Sequence, residues 1–291
     1  MFLVGYNKYY THRQKRLKEI FEAKNYYDIL FIGSSRTHTS INPKIVDSFT
    51  GFSSYNAGVE GGNLLEFLMT FKGYLQNHPP PKLLVLTLDA NSFSLDRKFF
   101  NYLQYFSVIN NKIVDSTLAT NGINTFIPKY LPVAKLTEYD EMTRSQVING
   151  LRGKNEIEKG EFEYKGYLSN TNKCVDTTKE YPLESINISR EALNDLIEFI
   201  KVCEEKNIQI IITYAPEYKF RLQRSFENFD QAISLVDSVS RKKLIPFYRD
   251  DNLNICNNPC FFANYGHLNT PGAIEYSKIL GERIKNLNLI K

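Results

Sequence analysis

Three apolar runs, from Asp28 to Ile32, Leu83 to Leu88 and Ile208 to Tyr214, are almost unbroken Ile, Leu and Val. A strand exposed on one face alternates apolar and polar residues, whereas a strand covered on both faces does not. The runs therefore read as buried strands of a mainly parallel sheet. Parallel neighbours need crossover connections, and the intervening chain supplies helical patterns. Asn63 to Gln76 carries Leu64, Leu65, Phe67, Leu68, Phe71 and Leu75 near a 3.6-residue spacing, and Pro79-Pro80-Pro81 stops it. Ser189 can cap a helix from Arg190 to Asn207. Thr270 as N-cap and Pro271 at the first helical position predict a helix from Gly272 to Leu287. The expected fold is a doubly wound, flavodoxin-like three-layer α/β/α domain.

With 291 residues the chain can bury a sizeable core as one such domain carrying an insertion, or as a domain plus a subdomain. The insertion is expected at about 94–188, where pieces such as Phe99 to Phe106, Tyr130 to Leu151 and Gly160 to Leu168 leave the strand–helix rhythm. It either builds or lids a substrate site, or only covers a sheet edge. Residues 1–26 read as an N-terminal helix ahead of the main domain at 27–291. The basic stretch His12 to Lys18 on that helix is a solvated face or a membrane-proximal segment. The apolar start, Met1 to Tyr6, is too short to span a bilayer or act as a signal peptide. A net charge of +4 is too small to argue for nucleic acid.

In an open parallel sheet, ligands gather beyond the carboxyl ends of the strands. Gly33-Ser34-Ser35-Arg36 follows the first run and Asp89-Ala90-Asn91 follows the second. Between them lies Asn56-Ala57-Gly58-Val59-Glu60-Gly61-Gly62, and near the C-terminus His267-Leu268-Asn269. Together these four blocks read as a serine hydrolase site. A hydroxyl is a weak nucleophile, so Ser35 needs an imidazole, and His267 directly precedes a capped helix that would fix its backbone.

In order and content the four blocks resemble the SGNH, or GDSL-like, hydrolase superfamily. The likeness is to the branch related to the D-alanyl-lipoteichoic-acid protein and to acyl-transfer partners of membrane-bound O-acyltransferases. It covers roughly residues 27–92 and 264–287. The resemblance implies Ser35 as nucleophile and His267 as general base. It implies the amides of Ser35 and Gly61 with the carboxamide of Asn91 as oxyanion donors, while the sequence carries no cofactor-binding motif and no cofactor is expected. Its last block, Asp-x-x-His, appears as Asn264-Tyr265-Gly266-His267. Asn264 can accept a hydrogen bond from the ring but brings no charge, and the same Asp→Asn change in a protease triad costs about ten-thousandfold. The alternatives are a Ser-His dyad, or Asp250 or Asp251 from the preceding loop as the carboxylate. Arg36 either contacts an anionic or sugar substrate or makes a structural salt bridge.

His12, His38 and His78 have no ligand spacing, and His38, three residues past Ser35, either faces the pocket or lies on a helix surface, the expected place. No Gly-x-Ser-x-Gly surrounds Ser35, and neither a phosphate-cradling loop nor a dinucleotide fingerprint is present. Of four cysteines, Cys256 and Cys260 could close a small disulfide, join His267 on zinc, or stay unpaired, while Cys203 reads as a buried thiol. Two functions stay open. One is an acyl-ester hydrolase or O-acyltransferase working through an acyl-Ser35 intermediate. The other is a catalytically silent protein that keeps the pocket for an envelope glycan or a membrane-bound O-acyltransferase partner. There is no Trp, but 19 Tyr and 20 Phe leave sugar-stacking surfaces. The resemblance implies an extracytoplasmic domain tethered by an N-terminal anchor; with Met1 as the true start the chain would be cytoplasmic.

Overall fold

The computed structural model describes residues 12–93, 98–130, 148–149, 151–152, 163–171, 173–178, 189–219 and 228–287. In chain order its helices are α1 (His12–Phe21), α2 (Ser35–Ser40), α3 (Pro43–Thr50), α4 (Leu64–Asn77), α5 (Lys112–Thr120), α6 (Phe126–Tyr130), α7 (Arg190–Glu205), α8 (Phe229–Lys242) and α9 (Thr270–Lys285). The strands are β1 (Ile29–Gly33), β2 (Ser54–Asn56), β3 (Leu83–Leu88), β4 (Glu163–Tyr164), β5 (Tyr167–Leu168), β6 (Gln209–Tyr214), β7 (Phe247–Arg249), β8 (Phe262–Asn264) and β9 (His267–Leu268).

Five strands form one parallel sheet in the order β2-β1-β3-β6-β7. The three apolar runs are its central strands, and every residue of β1 and β3 is buried. Ile29, Phe31, Leu83, Val85 and Ile211 share a core with Val46 of α3 and with Tyr276, Leu280 and Ile284 of α9. On the opposite side α7 and α8 cover β6 and β7. The result is the flavodoxin-like α/β/α arrangement. Burying each large aliphatic side chain in such a core contributes about 1.5–3 kcal/mol, which is why unbroken apolar strands demand two helical layers. The chain leaves β1 toward β2 and returns on the far side of β1 to form β3, so the topological switch lies between the ends of β1 and β3.

Helices α4 and α7 fall within two residues of their predicted limits, and the Ser189 hydroxyl accepts from the Ala192 amide as a cap should. At α9 the cap is one residue earlier than expected. Asn269 accepts from the Gly272 amide and Thr270 is the first helical residue. The predicted helix from Tyr130 to Leu151 lies almost wholly outside the described residues.

The chain divides into two compact units. One holds the sheet, the described parts of residues 26–68, 80–97 and 162–287. The other gathers α1, the Met69–Asn77 part of α4, and the described residues 98–130. In that second unit Leu17, Ile20 and Phe21 of α1 are buried, and the Phe21 ring lies where a side chain on Gly73 would fall. Asn77 and Asn111 both donate to the Phe21 carbonyl, and His78 stacks on Tyr74 with its ring nitrogens against the carbonyls of Glu19 and Asn25. Arg16 is buried, so the basic stretch is not wholly a solvated face. Among the described residues no helix is long and apolar enough to cross a membrane.

Within the sheet unit, the β4–β5 hairpin covers the edge of β2. The Asn56 amide donates to the Lys165 carbonyl, and Lys165 reaches Asp47 and Ser53. Gly166 sits at φ 83°, where a Cβ would fall 1.9 Å from the Asn56 oxygen, so only glycine fits there. The cysteine pairing also differs from the short loop considered above: Cys260 is bonded to Cys174, 86 residues away. Cys256 is withdrawn into the core with its thiol on the Asp250 carbonyl, while Cys260 lies exposed in the turn before β8. Cys260 is therefore not available to zinc. Burial pushes the free thiols of Cys203 and Cys256 up to about 12.

Candidate active site

The first component of the site is set by how β1 turns into α2. Ser34 stays extended as the N-cap, its hydroxyl accepting from the Arg36 amide, so that Ser35 opens the helix at the carboxyl edge of the sheet. The Ser34 hydroxyl also donates to Asp89, the residue directly after β3, and closes the switch point between the two strands. Asp89 is buried, and its other oxygen takes the amide and hydroxyl of Ser92. Neither the Ser34–Asp89 contact nor its purpose was anticipated from sequence, although Asp89 stood inside a block singled out for its neighbour Asn91.

The second component is the β8–β9 hairpin, in which Asn264 pairs with His267. It brings His267 Nε2 to 2.8 Å from Ser35 Oγ. On the other side of the ring, Nδ1 lies 3.0 Å from Asn264 Oδ1. That same oxygen accepts from the Gly266 amide at 3.0 Å, which fixes the carboxamide with its acceptor toward the ring. A proton held on Nδ1 leaves Nε2 free to accept from Ser35, the tautomer a general base requires. The two aspartates considered as substitutes are engaged elsewhere. Asp250 is paired with Nη1 and Nη2 of Arg283 and with Tyr276, and Asp251 with Arg249.

The third component is the loop after β2. Asn56 is fully buried and donates to the carbonyls of Thr37 in α2 and of Ile41, which caps its C-terminus, while its oxygen takes the Gly58 amide. Val59 donates to the Gly33 carbonyl at 2.7 Å. Gly58 lies so close to α2 that a Cβ would fall 2.6 Å from the His38 amide nitrogen and 2.9 Å from the Ser34 oxygen. Gly58→Ala is expected to lower stability by about 1–3 kcal/mol and to slow any Ser35-dependent reaction, because the helix carrying Ser35 must shift. Thermal melts beside turnover check this. The loop then exposes Gly61 at φ 63°. Among the described residues nothing takes up its amide, whereas those of Gly58 and Val59 are spent. Asn91 lies in a 3₁₀ turn, Ala90–Phe93, with its side chain outside the described residues. His38 is buried, not on a helix surface, with Nδ1 3.7 Å from Glu60.

Behind Ser35 is a buried ionic group. Arg36 is 4 % exposed and pairs with Glu217, which is 0 % exposed and also accepts from Tyr214. Arg36 Nε lies 3.8 Å from Asp89. Of its two expected roles, the geometry presents Arg36 as the salt-bridge partner. Glu217 was missed, yet it follows β6 at the same carboxyl edge that led to Ser35 and Asn91. Among the described residues no three metal-ligating side chains cluster.

No protein-family model matches the chain, and no curated protein is significantly similar to it. Several solved structures resemble it. A protein of Bacteroides fragilis inferred to be an acylhydrolase is 13% identical, with a TM-score of 0.44 over 96% of each chain. One from Streptococcus pneumonia, inferred to be a platelet activating factor, is 13% identical with a TM-score of 0.46 over 96% of this chain and 93% of its own. A GDSL-like lipase of Bacteroides thetaiotaomicron is 12% identical with a TM-score of 0.40, covering 89% and 87%.

Proposed function

We propose that this chain is a serine esterase or O-acyltransferase of SGNH type, acting on an acyl ester through an acyl-Ser35 intermediate. The observation that carries the reading is the Ser35–His267–Asn264 chain of hydrogen bonds, 2.8 Å and then 3.0 Å long. In the reaction His267 Nε2 takes the Ser35 proton as Oγ attacks the ester carbonyl, and returns it to the departing alcohol. Water, or the hydroxyl of an acceptor, then cleaves the acyl-serine by the reverse route. The amides of Ser35 and Gly61, with the Asn91 carboxamide, are the proposed donors to the oxyanion. Each such donor is typically worth about 3–4 kcal/mol of barrier.

A glycan acceptor, and assembly with a membrane-bound O-acyltransferase, extend this reading to the cell envelope. The Cys174–Cys260 disulfide supports it, since such bonds persist in oxidising compartments. The test is turnover of a small aryl acetate with and without an added sugar acceptor. An acetylated sugar formed at the expense of free acetate marks a transferase, and acetate alone marks an esterase.

A specific observation favours the second reading, a silent pocket: the side chain on His267 Nδ1 is the neutral Asn264, where the resemblance would place an aspartate. The cost is smaller than the ten-thousandfold of a protease triad, because there the amide imposes the wrong tautomer. Here the Gly266 amide holds the oxygen toward the ring, so only the charge is missing. Asn264→Asp is expected to raise kcat by about 10- to 100-fold, the worth of a charged over a neutral hydrogen bond. It should also move the acidic limb of the pH–rate profile up by about one unit, because a carboxylate favours the protonated ring, which cannot act as base. Steady-state rates between pH 5 and 9 measure both.

A further inference from the structure

We infer that residues 170–171 and 173–176, clamped by the Cys174–Cys260 disulfide and by Asn269, form a strap that positions His267 against Ser35. The inference rests on the catalytic reading above and adds positioning residues to it. The hairpin that carries His267 is short, with two residue pairs and a register irregularity between them, so its own hydrogen bonds fix the imidazole weakly. The strap supplies the rest. Asn170 donates to the Leu268 carbonyl, and its own carbonyl accepts from the Thr270 hydroxyl. Thr270 also donates its amide to Thr171 at 3.3 Å, Val175 donates to Pro259 at 3.2 Å, and the Tyr265 hydroxyl donates to the Asp176 carbonyl at 3.0 Å. Val175 is buried in the same core as Phe262, Tyr265 and Leu268.

Asn269 joins these contacts. Fully buried, it caps α9 through Oδ1 and donates from Nδ2 to the Lys173 carbonyl at 3.1 Å and the Cys260 carbonyl at 2.8 Å. One side chain thus holds the backbone at both ends of the disulfide, two residues after His267. Just upstream, β5 packs against α2, the helix that Ser35 opens. The same stretch of chain therefore contacts both the helix that Ser35 opens and the residues that flank His267. Both half-cystines are exposed while the other two thiols are buried, so the bond can be opened selectively.

The experiment uses the full chain, oxidised and then treated with dithiothreitol. A dithiothreitol thiolate attacks an exposed sulfur of the disulfide; the reagent ends as its cyclic disulfide, and Cys174 and Cys260 gain the two protons and two electrons as thiols. Reduction is expected to lower kcat for an aryl acetate by about 10- to 100-fold with KM within about twofold, because the imidazole is displaced and the ester pocket is not. Amide exchange across residues 260–270 should accelerate by about tenfold or more. Reoxidation should restore both. Cys174→Ser/Cys260→Ser should match the reduced chain. Asn269→Asp, which keeps the cap oxygen but loses both donated bonds, should reproduce the kcat loss with the disulfide intact. Unchanged kcat or unchanged exchange after verified reduction overturns the strap. If the oxidised chain has no turnover at all, the catalytic reading fails instead, and exchange across 260–270 alone decides whether the strap holds the hairpin.

Discussion

Replacing Ser35 with alanine, His267 with alanine, or both together is expected to give the same loss of turnover, on the order of 10⁵- to 10⁶-fold. The equality is the informative part. If Ser35 attacks only when His267 takes its proton, removing either partner removes the whole step, and the second removal costs nothing more. Two residues that bind substrate independently would instead give losses that multiply. The structure makes the coupled outcome specific, because Ser35 Oγ and His267 Nε2 are 2.8 Å apart and come from positions 232 residues apart in sequence. Neither side chain is buried in the core, and Ser35 is not the N-cap of its helix. Both alanine variants should therefore keep their melting temperatures, so a lost rate cannot be charged to unfolding. Steady-state kinetics of the three variants with a common aryl ester, beside thermal melts, test this.

The second large effect is on stability. Glu217→Ala is expected to destabilise the fold by about 3–5 kcal/mol, the usual cost of stranding one member of a buried ion pair. Glu217 is fully buried, and its partner Arg36 has 5 % of its side chain exposed, so neither charge can turn to water without opening the site. With Glu217 gone, Arg36 would lose the buried carboxylate it pairs with, and Asp89, 3.8 Å from Nε, is already committed to Ser34 and Ser92. Because Arg36 follows Ser35, the local disturbance reaches Ser35 as well. Removing both charges should cost less than the single change: Arg36→Met/Glu217→Leu is expected to recover about half or more of the loss, since well-packed apolar replacements avoid the desolvation penalty. Urea unfolding of the single and double variants measures the difference.

Much of the fold was legible because its central strands are buried on both faces and so declare themselves as runs of Ile, Leu and Val. The edge strands were not. Ser54–Asn56 and Phe247–Arg249 are three residues each, too short for any periodicity, and the first reads as the start of a glycine-rich loop. The N-terminal helix gave a basic stretch but no sign that it would share a compact unit with part of α4, because that packing is a matter of distant neighbours. At the site, position told more than residue type. Ser35 and His267 stood out by what precedes and follows them, and the structure brings them into contact. Asp89 and Glu217 follow strand ends as Ser35 does, but neither they nor Cys174 showed their partners, which lie 55, 181 and 86 residues away. Asn264 was legible as a departure, but not the Gly266 amide that fixes its orientation.

The central claim is that His267 activates Ser35. Treating the folded chain with a fluorophosphonate and mapping the adduct by mass spectrometry tests it most directly, because the reagent phosphonylates only an activated hydroxyl. The account predicts one adduct, on Ser35, formed by the native chain and absent from His267→Ala. A native, folded chain that forms no adduct, or forms it at the same rate without His267, would contradict it.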